Sequence, residues 1–181
     1  MQFFAITPER VTSEVITRNL EQLIKKGVTK IYLRNRILDA DLLKSCINAG
    51  IHPIVHHTIW HPDLTDDTGI HFKTDEWNGS WKLEKLLITA SAHKCKTAID
   101  LLKTGVDFVY LSPVFRPFSK VMDKRPLIQR HALKSLLDQY GERIILLGGM
   151  TLKRVEELKR NLNADFSVGG ITMFFSDHFE N

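Results

Sequence analysis

Short apolar runs alternate with stretches of helical periodicity along the whole chain. Gln2–Ile6 predicts a strand. Apolar side chains then recur at Val11, Val15, Ile16, Leu20, Leu23 and Ile24. This spacing makes one face of a helix over Val11–Lys26, which Gly27 can end. Lys30–Arg34 predicts a second strand. Asp39 can cap a helix carrying Leu42, Leu43, Cys46 and Ile47 and ending at Gly50. His52–His57 predicts a third strand, Ile70–Phe72 a short fourth and Leu86–Ser91 a fifth. Lys94–Lys103 is a helical stretch with Cys95, Ala98, Ile99 and Leu102 on one side. Asp107–Leu111 predicts strand six, Arg130–Tyr140 a helix stopped by Gly141, and Arg143–Leu147 strand seven. Thr151 caps a helix carrying Leu152, Val155 and Leu158, and Asp165–Val168 predicts strand eight.

Strands separated by helices require parallel crossovers. Eight such units predict an α/β chain of the (β/α)8 TIM-barrel class. With 181 residues, the chain is short beside the ~250 typical of that fold, so a compact barrel with some helices shortened or missing is expected. The economies fall between His57 and Gly69, where little helical pattern is seen, and after strand eight. A doubly wound open sheet is the structural alternative, but no glycine-rich nucleotide turn follows the first strand. No Pro/Gly/Ser-rich linker divides the chain, which predicts a single domain over residues 1-181.

Composition narrows the function. Hydrophobic residues make up 43%, too many for a disordered chain. No apolar run reaches the ~18 residues of a membrane span, and the N-terminus lacks the basic stretch of a signal peptide. A cytoplasmic protein without membrane association is expected. The formal charge is +4, but basic residues alternate with acidic ones, as in GERIILL and TLKRVEELKR. That pattern describes solvated helix faces, not a nucleic-acid stripe, and is compatible with an anionic small-molecule substrate. Cys46 and Cys95 form no CxxC pair and are expected as small buried residues.

A barrel places chemistry at the C-terminal ends of its strands. Arg34 and Arg36 follow strand two at alternate positions and could grip phosphate oxygens. His56 and His57 end strand three, with His61 and His71 beyond. Their spacing matches no strong metal motif, and alternation along a strand lets at most one of His56 and His57 face the interior. A single substrate-contacting histidine is therefore expected. After strand four, Asp75 and Glu76 could hold Mg²⁺, which binds through one or two carboxylates plus substrate phosphates. Ser112, Ser119 and Lys120 lie on a proline-punctuated loop after strand six. Gly148–Gly149 and Gly169–Gly170 follow strands seven and eight, where barrels bind phosphate through backbone N–H groups.

The segments SAHK, DFVYLSPVF…SK, ILLGGMT and ADFSVGG, in this order, resemble the thiamine-phosphate synthase family, which also includes a thiazole tautomerase. The resemblance implies a (β/α)8 barrel that joins a hydroxymethylpyrimidine pyrophosphate to a thiazole phosphate, giving thiamine phosphate and pyrophosphate. It implies Mg²⁺ as cofactor and phosphorylated small molecules as partners, and no nucleic acid. On this likeness Arg34, Arg36, Ser91 and Lys120 are the catalytic candidates. Tyr32, His56, His57, Ser119, Gly148, Gly149, Gly170 and Ile171 are the substrate-binding candidates, and Glu76 and Asp75 the metal ligands. The sequence departs from the family at Tyr32, where the family has glutamine, and at His56 and His57, where it has an Asn-Asp pair whose aspartate is a metal ligand. Imidazole is a poor partner for a hard cation. Three functions follow. One is a divergent synthase. A second is a tautomerase-like or other phosphate-ester enzyme using His56, His57 or His71 for proton transfer. The third is a non-catalytic binder of thiazole phosphate or thiamine phosphate. A homo-oligomer is possible if the shortened helices leave an apolar flank.

Overall fold

In the computed structural model, β1 (Phe3–Ile6) hydrogen-bonds to both β2 (Val28–Leu33) and β8 (Ser167–Gly170), closing a ring of eight parallel strands. The structure describes residues 1–34, 37–64, 67–80, 86–116 and 124–175. Between those two neighbours lie β3 (His52–His56), β4 (Gly69–Phe72), β5 (Ile88–Ala92), β6 (Phe108–Leu111) and β7 (Ile144–Leu146), in sequence order around the barrel. The expected (β/α)8 barrel is thus the fold, with strand ends shifted by one or two residues.

Helices cover the outside where the apolar stripes predicted them. α1 (Ser13–Lys25) buries Ile16, Leu20 and Leu23, while Ile24 from the same expected stripe is left 46% exposed. α2 (Ala40–Asn48) starts at Asp39, whose carboxylate accepts the Leu42 N–H at 3.0 Å. This satisfies one of the orphan donors of the first turn. α3 (Cys95–Lys103), α4 (Arg130–Tyr140) and α5 (Leu152–Leu162) follow β5, β6 and β7. Thr151 caps α5 by accepting the Arg154 N–H. After β3 the described chain makes only a 3-10 turn, His57–Ile59, in place of a helix. Cys46 is fully buried and Cys95 is half-buried against the core. Among the described residues no helix is long and apolar enough to cross a membrane.

Strand alternation divides the core in two. Residues such as Ile31, Val55, Ile70, Val109 and Leu146 point outward beneath the helices. Phe4, Ile6, Ile54, Tyr110 and Ile145 point inward and fill the lumen. Phe4 is the anchor there, its ring 5.3 Å from Phe108 and 5.9 Å from Tyr110 between centroids. Gly169, expected in a turn, lies inside β8 instead. A Cβ there would come within 3.0 Å of Ile145 and 3.6 Å of Tyr110, so the lumen needs a residue without a side chain opposite those large ones. Gly170 ends the strand, and Ile171 begins the turn.

Phe4→Ala should therefore empty the centre of the lumen, where the surrounding strands cannot collapse. We expect a loss of ~3–5 kcal/mol, read from urea denaturation midpoints. A loss below ~1 kcal/mol would mean that the lumen is not a packed core.

Candidate active site

All eight strands deliver their C-terminal ends to one rim. That rim surrounds a cavity of about 420 Å³. Of the residues expected there, Tyr32, Arg34, Asp75, Ser91, Gly148, Gly149, Gly170 and Ile171 line it together. Arg36, Ser119 and Lys120 lie outside the described residues.

The floor is built around His71 on β4. Thr89 donates its hydroxyl proton to the Ile70 carbonyl at 3.2 Å, so its oxygen accepts from His71 Nδ1 at 3.0 Å. This fixes the proton on Nδ1. Nε2 then accepts the Ser91 hydroxyl at 2.9 Å. Ser91 is thus aimed by a chain running Ser91–His71–Thr89. Burial, and then the neighbouring His56, push the His71 pKa down to about 3, so the ring is neutral. Such an imidazole is a poor general base near neutral pH; its role is to position Ser91. Tyr32 lies over His71 at 4.3 Å, and Tyr110 meets it edge-on at 5.2 Å. Burial holds the Tyr110 phenol protonated, well above its ordinary pKa. Its hydroxyl is buried without a hydrogen-bond partner among the described residues.

Three cations, Arg34, Lys73 and Arg125, line the cavity against one carboxylate, Asp75, among the described residues. Arg34 is steadied by an ion pair with Glu9, and its backbone N–H bonds Thr7. Arg125 donates to His93 Nε2 at 2.6 Å, while His93 Nδ1 donates to the Ser112 carbonyl at 2.9 Å. Neither Arg125 nor Tyr110 was foreseen. Alternation in FVYL could have placed Tyr110 inside the barrel, but nothing local in the sequence brings Arg125 back over the rim.

The turn after β7 forms a further part of the wall. Gly148 and Gly149 both have positive φ, +101° and +58°, a region that favours glycine. A Cβ on Gly148 would come within 3.0 Å of Pro113 and the Phe115 carbonyl, and one on Gly149 would collide with the Arg116 carbonyl. Arg154 donates to the Gly149 carbonyl and holds the turn. The N–H groups of Gly149, Met150 and Thr172 enter no backbone–backbone hydrogen bond among the described residues. Gly149 and Met150 lie just before α5 and Thr172 just after β8, all lining the cavity, where backbone N–H groups suit an anion.

His56, His57 and Glu76 are not among the cavity-lining residues. They gather in a second cluster beside it. Glu76 Oε2 lies 3.1 Å from His56 Nε2 and 3.3 Å from His57 Nε2. The expectation that only one of these histidines could turn inward does not govern their meeting, because β3 stops at His56 and the 3-10 turn from His57 breaks the alternation. Burial pushes the His56 pKa down against the pull of Glu76. Burial alone would raise the Glu76 carboxyl, but the Lys73 N–H bond together with the His56, Lys73 and His57 charges brings it below its ordinary value. Magnesium, expected through Glu76 and Asp75, would meet two imidazole nitrogens and one carboxylate here. A small, hard ion that demands oxygen ligands does not fit that donor set.

No protein-family model matches the chain. A curated relative from Aquifex aeolicus (strain VF5), described as "Putative thiamine-phosphate synthase 2", is 24% identical over 184 residues, covering 96% of this chain and 97% of that protein. This chain is similar to a thiamine-phosphate synthase along nearly its whole length. The fold agrees. The thiamine phosphate pyrophosphorylase of Pyrococcus furiosus superposes with a TM-score of 0.68 at 18% identity, over 94% of this chain and 85% of its own. The Bacteroides thetaiotaomicron thiamine phosphate pyrophosphorylase gives 0.61 at 17%, over 97% and 85%. At such identities the solved structures carry the barrel and not the reaction.

The neutral His71 makes a pH prediction. An unfolded histidine titrates near 6.5, whereas His71 in the fold titrates at about 3. Between those values the unfolded chain binds the proton and the folded chain does not. Stability should therefore fall as pH drops from 6.5 towards 3, with this residue contributing up to ~1.4 kcal/mol per pH unit. His71→Gln should flatten the urea-midpoint profile on this acid limb. An unchanged slope would show that His71 is protonated or exposed in the fold.

Proposed function

We propose that this chain is a divergent thiamine-phosphate synthase, condensing a hydroxymethylpyrimidine pyrophosphate with a thiazole phosphate. The observation that carries the proposal is that one cavity is lined both by the Gly148–Gly149 turn and by Arg34, Lys73 and Arg125. A reaction between two phosphorylated substrates needs two anion sites in one cavity. The glycine turn and the chain after Gly170 suit the thiazole phosphate, received by backbone N–H groups. The cations suit the pyrophosphate.

In the reaction proposed, the bond between the pyrimidine methylene carbon and the pyrophosphate oxygen breaks, and its electron pair leaves with pyrophosphate. Arg34, Lys73 and Arg125 stabilise that charge as it develops. The ring face of Tyr32 suits the flat, electron-poor pyrimidinylmethyl group, since an aromatic face attracts positive charge. Ser91, aimed by His71, can orient it. The thiazole nitrogen then supplies the electron pair for the new C–N bond. Holding both rings in one cavity supplies the proximity term, on the order of several kcal/mol in well-oriented reactions. A proton-transfer enzyme on the same barrel is less well supported: His71 is neutral and occupied with Ser91 and Thr89, while His56 and His57 face Glu76.

The purified chain should form thiamine phosphate and pyrophosphate in equal amounts from the two substrates. Arg34→Ala should cut kcat/KM by ~100-fold or more, the scale of losing one preorganised charge-stabilising group. Gly149→Ala should chiefly raise KM for the thiazole phosphate. No product from a folded chain that binds both substrates would overturn the synthase proposal.

A further inference from the structure

The His56–His57–Glu76 cluster has the chemistry of a metal centre of a different kind from the one expected. Its three donor atoms lie within 4.8 Å of one another. Two of the separations, 3.1 and 3.3 Å, match the ~3–3.5 Å between ligand atoms bound at ~2.0–2.2 Å to one four-coordinate ion. Both Nε2 atoms are buried and stand at ion-pair distance from the same carboxylate oxygen. Two imidazoles and one carboxylate oxygen converging at a buried point is an arrangement that one shared ion can occupy.

We propose that His56, His57 and Glu76 bind a borderline divalent transition ion, of the zinc or cobalt class, in preference to Mg²⁺.

Each ligand is held by a group outside the triad. His56 Nδ1 accepts the Thr58 backbone N–H at 3.4 Å and lies 2.9 Å from the Thr58 hydroxyl, which holds the ring with Nε2 towards Glu76, where an ion would take the place of the Nε2 proton. The His57 ring lies flat on Phe72, 4.9 Å between centroids at 14°. Glu76 Oε2 accepts the Lys73 N–H at 2.7 Å, which fixes the turn that carries it. Two imidazoles and one carboxylate suit zinc-class ions and supply too few oxygens for Mg²⁺. Three protein ligands leave at least one position for water or another ligand. The loop that carries Glu76 also sends Lys73, Thr74 and Asp75 to the cavity, so ion binding and the shape of that wall are coupled. None of this depends on the synthase proposal, because the ion is tested without substrate.

The test uses the full chain, stripped with chelator and reloaded with Zn²⁺ or Co²⁺ in excess Mg²⁺. Bound metal is measured after gel filtration, and the Co²⁺ form by its visible ligand-field absorption. The expected result is stoichiometric Zn²⁺ that Mg²⁺ does not displace, and a Co²⁺ spectrum of low coordination number. His57→Asn and Glu76→Gln, each confirmed folded by circular dichroism, should bind ~10-fold or more weakly. His61→Asn, on the exposed His61–Asp63 pair, should bind as the parent does. His57→Asp serves as a second variant and should shift preference towards Mg²⁺. Sub-stoichiometric Zn²⁺ in the parent, displacement by Mg²⁺, or equal retention in His57→Asn and Glu76→Gln would each overturn the proposal. If those two variants do not fold, a Co²⁺ spectrum of the parent typical of six oxygen ligands overturns it.

Discussion

Closure of the parallel sheet is the constraint on which the rest depends. β1 must pair with β2 on one side and β8 on the other, and that is possible only if the lumen is filled to the right width. Phe4, Ile54, Tyr110 and Ile145 fill it, and Gly169 gives way where they are largest. Once closed, the barrel has no edge strand to protect. Every strand then ends at the same rim, so side chains far apart in sequence meet with no further instruction. Ser91 reaches His71 across 20 residues, and Arg125 reaches His93 across 32.

The rim carries two distinct environments. One is a cavity with an aromatic and hydrogen-bonded floor, cations on its walls and a glycine turn in which the Gly149 and Met150 N–H groups have no backbone partner among the described residues. The other is a smaller cluster beside it, where two imidazoles meet a carboxylate. The loop after β4 joins them, since Lys73 to Asp75 face the cavity while Glu76 faces the histidines. Thr74 ties that loop to β5 by donating to the Ser91 carbonyl.

Much of this was legible in the chain itself. Apolar runs gave the strands, helical stripes the helices, and strand ends the candidate rim. Arg34 and the Gly148–Gly149 turn fell where that logic put them, and Tyr32 and Ser91 where the family resemblance put them. It failed where local geometry departs from a regular element. His56 and His57 obey strand alternation only until β3 ends, and one residue of 3-10 turn lets both face Glu76. Gly169 and Gly170 look like a turn in sequence but serve the lumen and the strand end, because the size of Tyr110 and Ile145 across the barrel is a tertiary fact. Arg125 comes from a long connection whose return path has no periodic signal. The aromatic floor was half hidden for a similar reason: a tyrosine in an apolar strand reads as core until the structure places Tyr110 along the cavity.

The central claim is that the cavity is built for phosphate esters, with the glycine turn as one anion site. Calorimetric titration of the chain with thiazole phosphate and with the same thiazole lacking phosphate tests it most directly. Charge-assisted hydrogen bonds contribute about 1.5–3 kcal/mol each, so the phosphate ester should bind ~100-fold more tightly or better, and Gly149→Ala should remove most of that difference. Equal affinity for the two thiazoles would contradict the account, whatever else the barrel proves able to bind.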